Sequence, residues 1–282
     1  MYYLYGSNNN ELSPVEVFKI FGYLSNTAGL EPDLIEMQKV LDLSPEEIEE
    51  MKDLVVTRGM MLSDESRSVL SKRAIREYNE LFEDVSQRIV SEFIRIMGDE
   101  KYKKFNNYLK EWFDVERDYR KKWLREKNIK TLLGGIGTVY ATQCYCENAL
   151  PFLCLKFANI GKLEWLTPEC KEIYTKSYPI DISYKGTTLK DLIVKEAGPY
   201  NIEDDYWNCT CRKYKDLDCM MPMAQAAFFD NYNDGKDEYG RIVRLQAGID
   251  VNTKTAKKLG LDHLQNAWVE VDFSRLPMCQ KG

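Results

Sequence analysis

The fold of the second half of the chain is decided by residues 240–273, GRIVRLQAGIDVNTKTAKKLGLDHLQNAWVEVDF. The pattern predicts a short strand over 241–245, with Asp250 on the turn that follows. Residues 267–273 alternate as a strand does and have Trp268, Glu270 and Asp272 on one face. The stretch therefore predicts two strands separated by a turn that carries a carboxylate.

A short helix is predicted between these strands, over residues 255–259. Either Asn252 or Thr253 is positioned to cap it, because a side-chain oxygen there accepts a hydrogen bond from the first turn. Gly260 ends the helix, since glycine adopts the left-handed conformation that helix ends favour. Asp250 is an alternative cap, and in that role it would be structural.

The order G-I-D ending at Asp250, then a capped helix ending A-x-x-L-G at Gly260, then an alternating strand, resembles the last third of a double-psi β-barrel. This barrel occurs in RlpA-like lytic transglycosylases, bacterial expansins and family 45 glycoside hydrolases. Residues 135–141, GIGTVYA, resemble the family's first strand, G-x-A-T-x-Y, with Thr138 at the family's threonine. The resemblance implies a six-stranded double-psi β-barrel with a cysteine-rich insertion over about 142–186.

A second block of similarity runs from a predicted strand at 189–195 into E-A-G-P-Y, Glu196 to Tyr200. The family has D-R-G-P or D-x-G-P followed by an aromatic residue, with the aspartate in the substrate groove. The resemblance therefore implies that Glu196 and Asp250 are the catalytic carboxylates. Glycosidic cleavage needs a carboxylic acid to protonate the leaving oxygen, and a hydrolase needs a second carboxylate to activate water. A strand-end carboxylate on the surface is the alternative for Glu196.

The resemblance also implies a set of substrate-binding residues: Thr138, Tyr200, Asp205, Tyr206 and Trp207. The aromatic rings would stack on sugars, or they would pack in the core or in turns. Asp204 and Asp205 would alternatively bind a cation or fix the turn through local hydrogen bonds.

One departure concerns histidine. The family's histidine segment has no counterpart here, and the chain's one histidine, His263, is expected in an exposed loop with no catalytic role. Three functions therefore stay open. They are glycan cleavage of the lytic-transglycosylase type, expansin-like binding of polysaccharide without hydrolysis, and a structural or interaction role.

The composition limits the classes of partner that the protein is expected to bind. The formal charge is −6 and the pI about 5.2, so there is no basic surface for nucleic acid. No apolar run is long enough to span a bilayer, and no cofactor motif is present. Cell-wall polysaccharide, peptidoglycan or cellulose-like, is the expected partner.

All eight cysteines follow residue 143: Cys144, Cys146, Cys154, Cys170, Cys209, Cys211, Cys219 and Cys279. An even set confined to one domain predicts disulfides and a secreted or cell-surface protein, with the signal peptide absent from the sequence given. Zinc binding is the rival, although neither C-x-C pair has the C-x2-C spacing of zinc knuckles.

Residues 1–130 are predicted to form an all-α bundle, and residues 131–282 the β-barrel domain. The motif Ser-Pro-x-Glu at Ser13 and at Ser44 predicts two helix starts, and Gly59 is predicted to end the second of these helices. The longest helical segment is predicted to start at Ser63 and to end at Gly98. Helical di-metal sites need Glu-x-x-His pairs, and the chain's one histidine, His263, lies outside the bundle. The bundle is therefore expected to be a scaffold or a partner-docking module.

Overall fold

A computed structural model describes residues 11–66, 72–129, 135–144, 148–150, 179–194, 196–197, 200–201, 204–209 and 212–276. The chain divides into two compact units, Met1–Arg120 and Lys121–Gly282, called here the helical unit and the β unit. The prediction of a helical region followed by a β region is confirmed.

The first five helices occupy most of the described residues before 130. They are α1 (Pro14–Asn26), α2 (Glu31–Val40), α3 (Pro45–Ser66), α4 (Lys72–Met97) and α5 (Asp99–Ile129). Within the helical unit, α1 packs against α2, α3 and α4. Residues 17–24 of α1 are buried except for Lys19, so α1 is covered nearly all round and is the central helix.

The start of α1 follows the predicted capping signal. Ser13 Oγ accepts a hydrogen bond from the backbone N–H of Glu16, and Glu16 Oε2 accepts one from the N–H of Ser13 at 2.7 Å. Both contacts satisfy N–H groups that a helix start would otherwise leave unpaired.

The prediction that Gly59 ends a helix was wrong. Helix α3 runs through Gly59, which is buried, and continues to Ser66. Glycine costs a helix only about 1 kcal/mol relative to alanine, and packing overrides that. Gly98, by contrast, has φ +78° and separates α4 from α5 as predicted.

Seven strands form one mixed sheet in the described part of the β unit. They are β1 (Ile136–Cys144), β2 (Ala149–Leu150), β3 (Pro179–Tyr184), β4 (Thr187–Ile193), β5 (Glu196–Ala197), β6 (Ile249–Asn252) and β7 (Ala267–Asp272). Their order across the sheet is β4-β3-β7-β1-β6-β2-β5. Because β2 and β5 have only two residues each, five longer strands form most of the sheet.

Strand β1 lies at the centre of this sheet. It pairs parallel with β6 and antiparallel with β7, where Tyr140 lies opposite Trp268 and Thr138 opposite Glu270. Residues that lie opposite each other share a face, so this register confirms that Trp268, Glu270 and Asp272 lie on one face. Val139, Val269 and Val271 alternate with them and are buried.

Strands β3 and β4 form a hairpin closed by Lys185 and Gly186. Both residues have positive φ, +43° and +83°, as a two-residue hairpin turn of the primed type requires. The hairpin brings Ser183 opposite Thr188, and their hydroxyl oxygens are 2.8 Å apart.

Three helical segments complete the described β unit: α6 (Met223–Asp230), a 3-10 helix (Tyr232–Gly235) and α7 (Thr253–Lys258). The predicted strand over 241–245 was wrong, since only an isolated bridge joins Ile242 to Lys236. Gly260 follows α7 with φ +84° and ends it as predicted.

Disulfides are present, as the cysteine pattern predicted. Cys209 is bonded to Cys219, and Cys144 is also disulfide-bonded. The remaining cysteine residues of the predicted set, Cys146, Cys154, Cys170, Cys211 and Cys279, lie outside the described residues.

Candidate functional site

Asp250 lies within strand β6 and not on the turn that the sequence suggested. It is half-buried and sits opposite Thr142 of β1. The Thr142 hydroxyl donates a short hydrogen bond to Asp250 Oδ1. The carboxyl group is therefore held by a neighbouring strand.

Asn252, two residues later, is the cap of α7. Its Oδ1 accepts hydrogen bonds from the backbone N–H groups of Lys254, at 2.9 Å, and Thr255, at 3.1 Å. Asp250 therefore does not cap this helix, so the capping alternative for its carboxylate was wrong.

Glu196 begins strand β5, and its backbone position is fixed by strand β2. Ala149 of β2 lies opposite Glu196 on one side and opposite Asp250 on the other. The two acidic residues thus occupy the same register position, two strands apart. Since neighbouring strands are about 4.8 Å apart, their backbones are separated by roughly 10 Å.

Tyr200 organises the segment that was predicted to be a strand. Its hydroxyl oxygen accepts hydrogen bonds from the backbone N–H groups of Arg244, at 3.2 Å, and Leu245, at 3.1 Å. Arg241 Nη2 donates to the Tyr200 carbonyl at 2.7 Å. Burial raises the pKa of the Tyr200 hydroxyl, so the group stays protonated near neutral pH.

Tyr206 and Trp207 are core residues, with exposed fractions of 0% and 1%. Their rings pack with Phe273, and Trp207 stacks on it at a centroid distance of 5.3 Å. The Tyr206 hydroxyl donates to the Gly248 carbonyl at 2.9 Å. The stacking role predicted for these two rings was wrong, because neither has a face open to a sugar.

The side chains of Asp204 and Asp205 accept hydrogen bonds from other parts of the β unit. Asp204 Oδ1 accepts from Arg212 Nη2 at 2.6 Å, and Oδ2 accepts from the Met223 N–H at 2.5 Å. Burial raises the pKa of Asp204 to about 6, while Arg212 opposes that shift. Asp205 Oδ2 accepts from Asn208 Nδ2 at 3.1 Å, and burial raises its pKa as well. The hydrogen-bonding alternative thus describes both aspartates.

Thr138 lies on the floor of a cavity of about 460 Å3 in the β unit. Its backbone N–H donates to Asn128 Oδ1 at 2.9 Å, so this contact does not use the hydroxyl group. Six of the residues that line the cavity carry its chemistry: Trp123, Thr138, Ser183, Thr188, Trp268 and Glu270. We call this space the Trp123 cavity.

The sequence indicated only part of the Trp123 cavity. Thr138 was a predicted substrate-binding residue, and the shared face of Trp268 and Glu270 was predicted as well. Trp123 was not identified, because the helical pattern of α5 does not show that its last turns contact the sheet. Ser183 and Thr188 fell in or near a stretch that the family resemblance did not match.

Metal and membrane signals were also sought. Within the described ranges, no cluster of three or more His, Cys, Asp or Glu side chains is arranged to hold a metal ion. The disulfide removes Cys209 as a zinc thiolate. His263 is exposed on the turn after α7. None of the helices, so far as the structure describes them, is long and apolar enough to cross a bilayer.

The β unit is therefore a domain with a mixed sheet, a disulfide between Cys209 and Cys219, and a carboxylate-bearing strand next to the centre of the sheet. A family model for a domain of unknown function, DUF8814, matches residues 131–272, just over half of the chain. The chain belongs to the DUF8814 family. No curated protein and no solved structure matched it.

Proposed function

We propose that the β unit acts on a cell-wall polysaccharide, cleaving its glycan by acid/base catalysis with Asp250 and Glu196. The observation that supports this is the shared register of these two residues on either side of Ala149. Among carboxylates of the described sheet, these are the two that the family resemblance implies for catalysis.

The separation of the two backbones bears on the mechanism. A spacing of about 10 Å between strands leaves room for a water molecule or a sugar hydroxyl between two carboxyl groups. Inverting hydrolases hold their carboxyl groups roughly 6.5–9.5 Å apart, and retaining enzymes about 5–5.5 Å. The distance between the two carboxyl groups, and not that between the two backbones, decides which mechanism applies.

The mixed pairing of the sheet supports assigning it to the double-psi β-barrel class. Strand β1 pairs parallel with β6 and antiparallel with β7, and the segment around Asp250 follows the order seen in the resemblance. The disulfide between Cys209 and Cys219 supports a secreted or cell-surface location, where thiols are oxidised.

Incubation with peptidoglycan sacculi and, in parallel, with amorphous cellulose tests the function. Soluble products are identified by mass spectrometry, and bound protein is measured by pelleting. Anhydro-ended sugars identify lytic cleavage, and new reducing ends identify hydrolysis. Asp250→Asn and Glu196→Gln are each expected to lower product formation at least about a hundredfold, the usual loss of a general acid or base.

Asp262→Asn is the matched control. Asp262 is an exposed carboxylate whose hydrogen bonds to Gln143 and Gln265 are made by its backbone groups, so the control keeps those contacts. Full product formation by both Asp250→Asn and Glu196→Gln would refute the catalytic assignment.

Binding without cleavage is the second candidate function. It is favoured because the family's histidine segment has no counterpart in the chain, whose one histidine, His263, lies exposed on the turn after α7. Pelleting of the wild-type protein without any soluble product would select this function. A partner-docking role for the helical unit stays a prediction.

A further inference from the structure

The Trp123 cavity lies apart from Asp250, which is not among the residues that line it. Thr138 in the cavity and Thr142 beside Asp250 are four residues apart on β1, a distance of about 13 Å along the strand. The cavity is thus a separate place in the β unit.

One polar row runs across the floor of the cavity. Thr188 lies opposite Ser183, Ser183 opposite Glu270, and Glu270 opposite Thr138, so the four residues share one face of four adjacent strands. Three hydroxyl groups and a carboxylate therefore form a single row across the four strands. Such a row offers both donors and acceptors to a ligand.

Two indole rings form the apolar part of the cavity. Trp123 and Trp268 pack edge to face with centroids 6.0 Å apart. Trp268 also packs edge to face against Tyr140, at 5.2 Å, and stacks on Phe229, at 6.5 Å. Because three rings already hold Trp268 in place, little side-chain entropy of Trp268 is lost when a ligand contacts it.

The cavity is lined by three charged side chains: Lys127, Lys185 and Glu270. Lys127 Nζ is 3.4 Å from Glu270 Oε1, and both side chains are about half exposed. Lys127 also lies over the Trp123 ring, 5.9 Å from its centroid. Because an exposed ion pair contributes little to stability, these two groups can exchange their contact for hydrogen bonds to a ligand.

We propose that the Trp123 cavity binds a pyranose ring of a neutral or N-acetylated oligosaccharide. A pyranose has an apolar C–H face that suits an indole and a rim of hydroxyl groups that suits the polar row. The volume of the cavity, about 460 Å3, falls within the range of roughly 300–1,000 Å3 that is typical of small-molecule sites. A purely apolar ligand would displace water from the hydroxyl groups and from Glu270 without replacing its hydrogen bonds.

This proposal does not depend on cleavage, although it gives the proposed enzyme a substrate-binding subsite. It is tested by calorimetric titration of the full chain with chitotetraose, with cellotetraose and, as a nucleoside arm, with adenosine. We expect at least one oligosaccharide to bind and adenosine not to bind.

Two neighbouring threonines of β4 provide a matched pair of variants. Thr188 lines the cavity and Thr187 does not, and both are exposed. Thr188→Val is expected to weaken oligosaccharide binding about three- to tenfold, the loss of one hydrogen bond, while Thr187→Val leaves it unchanged. Trp123→Leu should weaken it at least about tenfold.

The outcomes separate this site from the catalytic one. Asp250→Asn should keep oligosaccharide binding, whether or not the wild-type protein releases products. Equal affinity of Thr188→Val and Thr187→Val, absence of binding by both oligosaccharides, or binding of adenosine alone would overturn the proposal. If Trp123→Leu fails to fold, the threonine pair decides the question.

Discussion

The helical unit and the β unit are stabilised in different ways. The core of the helical unit contains a cluster of phenyl rings: Phe18, Phe21, Phe82, Phe93 and Phe105. Its charges lie mostly outside, as in the contacts of Arg95 with Glu50 and Glu92. Glu116 is buried, however, and accepts hydrogen bonds from Tyr23 and Arg120.

The β unit buries ion pairs inside its irregular segments. Arg212 and Asp204 are each 1% exposed. Asp237 is fully buried and accepts hydrogen bonds from Arg241 Nε, at 2.6 Å, and from the N–H of Tyr239, at 3.0 Å. These charged groups replace the backbone partners that regular secondary structure would provide.

The difference shows how each unit provides hydrogen-bond partners for its backbone N–H and C=O groups. Helices pair their own N–H and C=O groups, so apolar packing is enough to hold them together. The described chain between β5 and β6 includes one α-helix, one short 3-10 helix and no strand, and its buried polar groups need side-chain partners. Four variants test this comparison.

The largest effect is expected from Arg212→Met in the β unit. The change leaves the buried Asp204 without its cation and should lower the free energy of unfolding by about 3–5 kcal/mol at pH 7.5. Burial already raises the pKa of Asp204 to about 6, above its ordinary value of 3.8. The folded state therefore takes up a proton before the unfolded state does, and the loss should shrink as pH falls from 7.5 to 5.

Urea denaturation at both pH values measures this change, with hydrogen exchange resolved by peptide to show that the β unit is affected. A loss that is the same at pH 5 and pH 7.5 would contradict the assignment of the effect to Asp204.

Removal of the disulfide ranks second. Cys209 and Cys219 are ten residues apart, and Cys209→Ser with Cys219→Ser should lower stability by about 2–3 kcal/mol. Thermal unfolding monitored by near-ultraviolet circular dichroism measures the loss. Unchanged unfolding of the β unit would show that its ion pairs hold this loop without the cross-link.

Ile89→Val in α4 tests the apolar core of the helical unit. Ile89 is 1% exposed, and loss of one methylene should cost about 0.5–1.5 kcal/mol. Peptide-resolved hydrogen exchange should speed up in α1 and α4 while β7 keeps its protection. Faster exchange in β7 as well would show that the two units unfold together.

The smallest effect is expected from Arg95→Gln on the surface of α4. Its side chain is 59% exposed, so removing both of its ion pairs should change the free energy of unfolding less than Ile89→Val does. Denaturant titration of both variants checks this order. A larger loss would mean that surface charge contributes to the helical unit as much as its core does.

The sequence by itself determined the elements whose signals are local. Ser13 and Glu16 determined the start of α1, the alternation of residues 267–272 determined β7, and Asn252 and Gly260 determined the ends of α7. Each depends on a few neighbouring residues, because caps and periodicity act within one or two turns or along one strand.

Tertiary structure alone decided where these elements meet. It placed Glu196 and Asp250 on either side of Ala149, buried Tyr206 and Trp207, and brought Trp123 of α5 to the ring of Trp268. Strand register and burial depend on contacts between residues that are far apart in the chain. A local pattern carries no information about which distant residue will be the partner, so only the folded chain fixes the site.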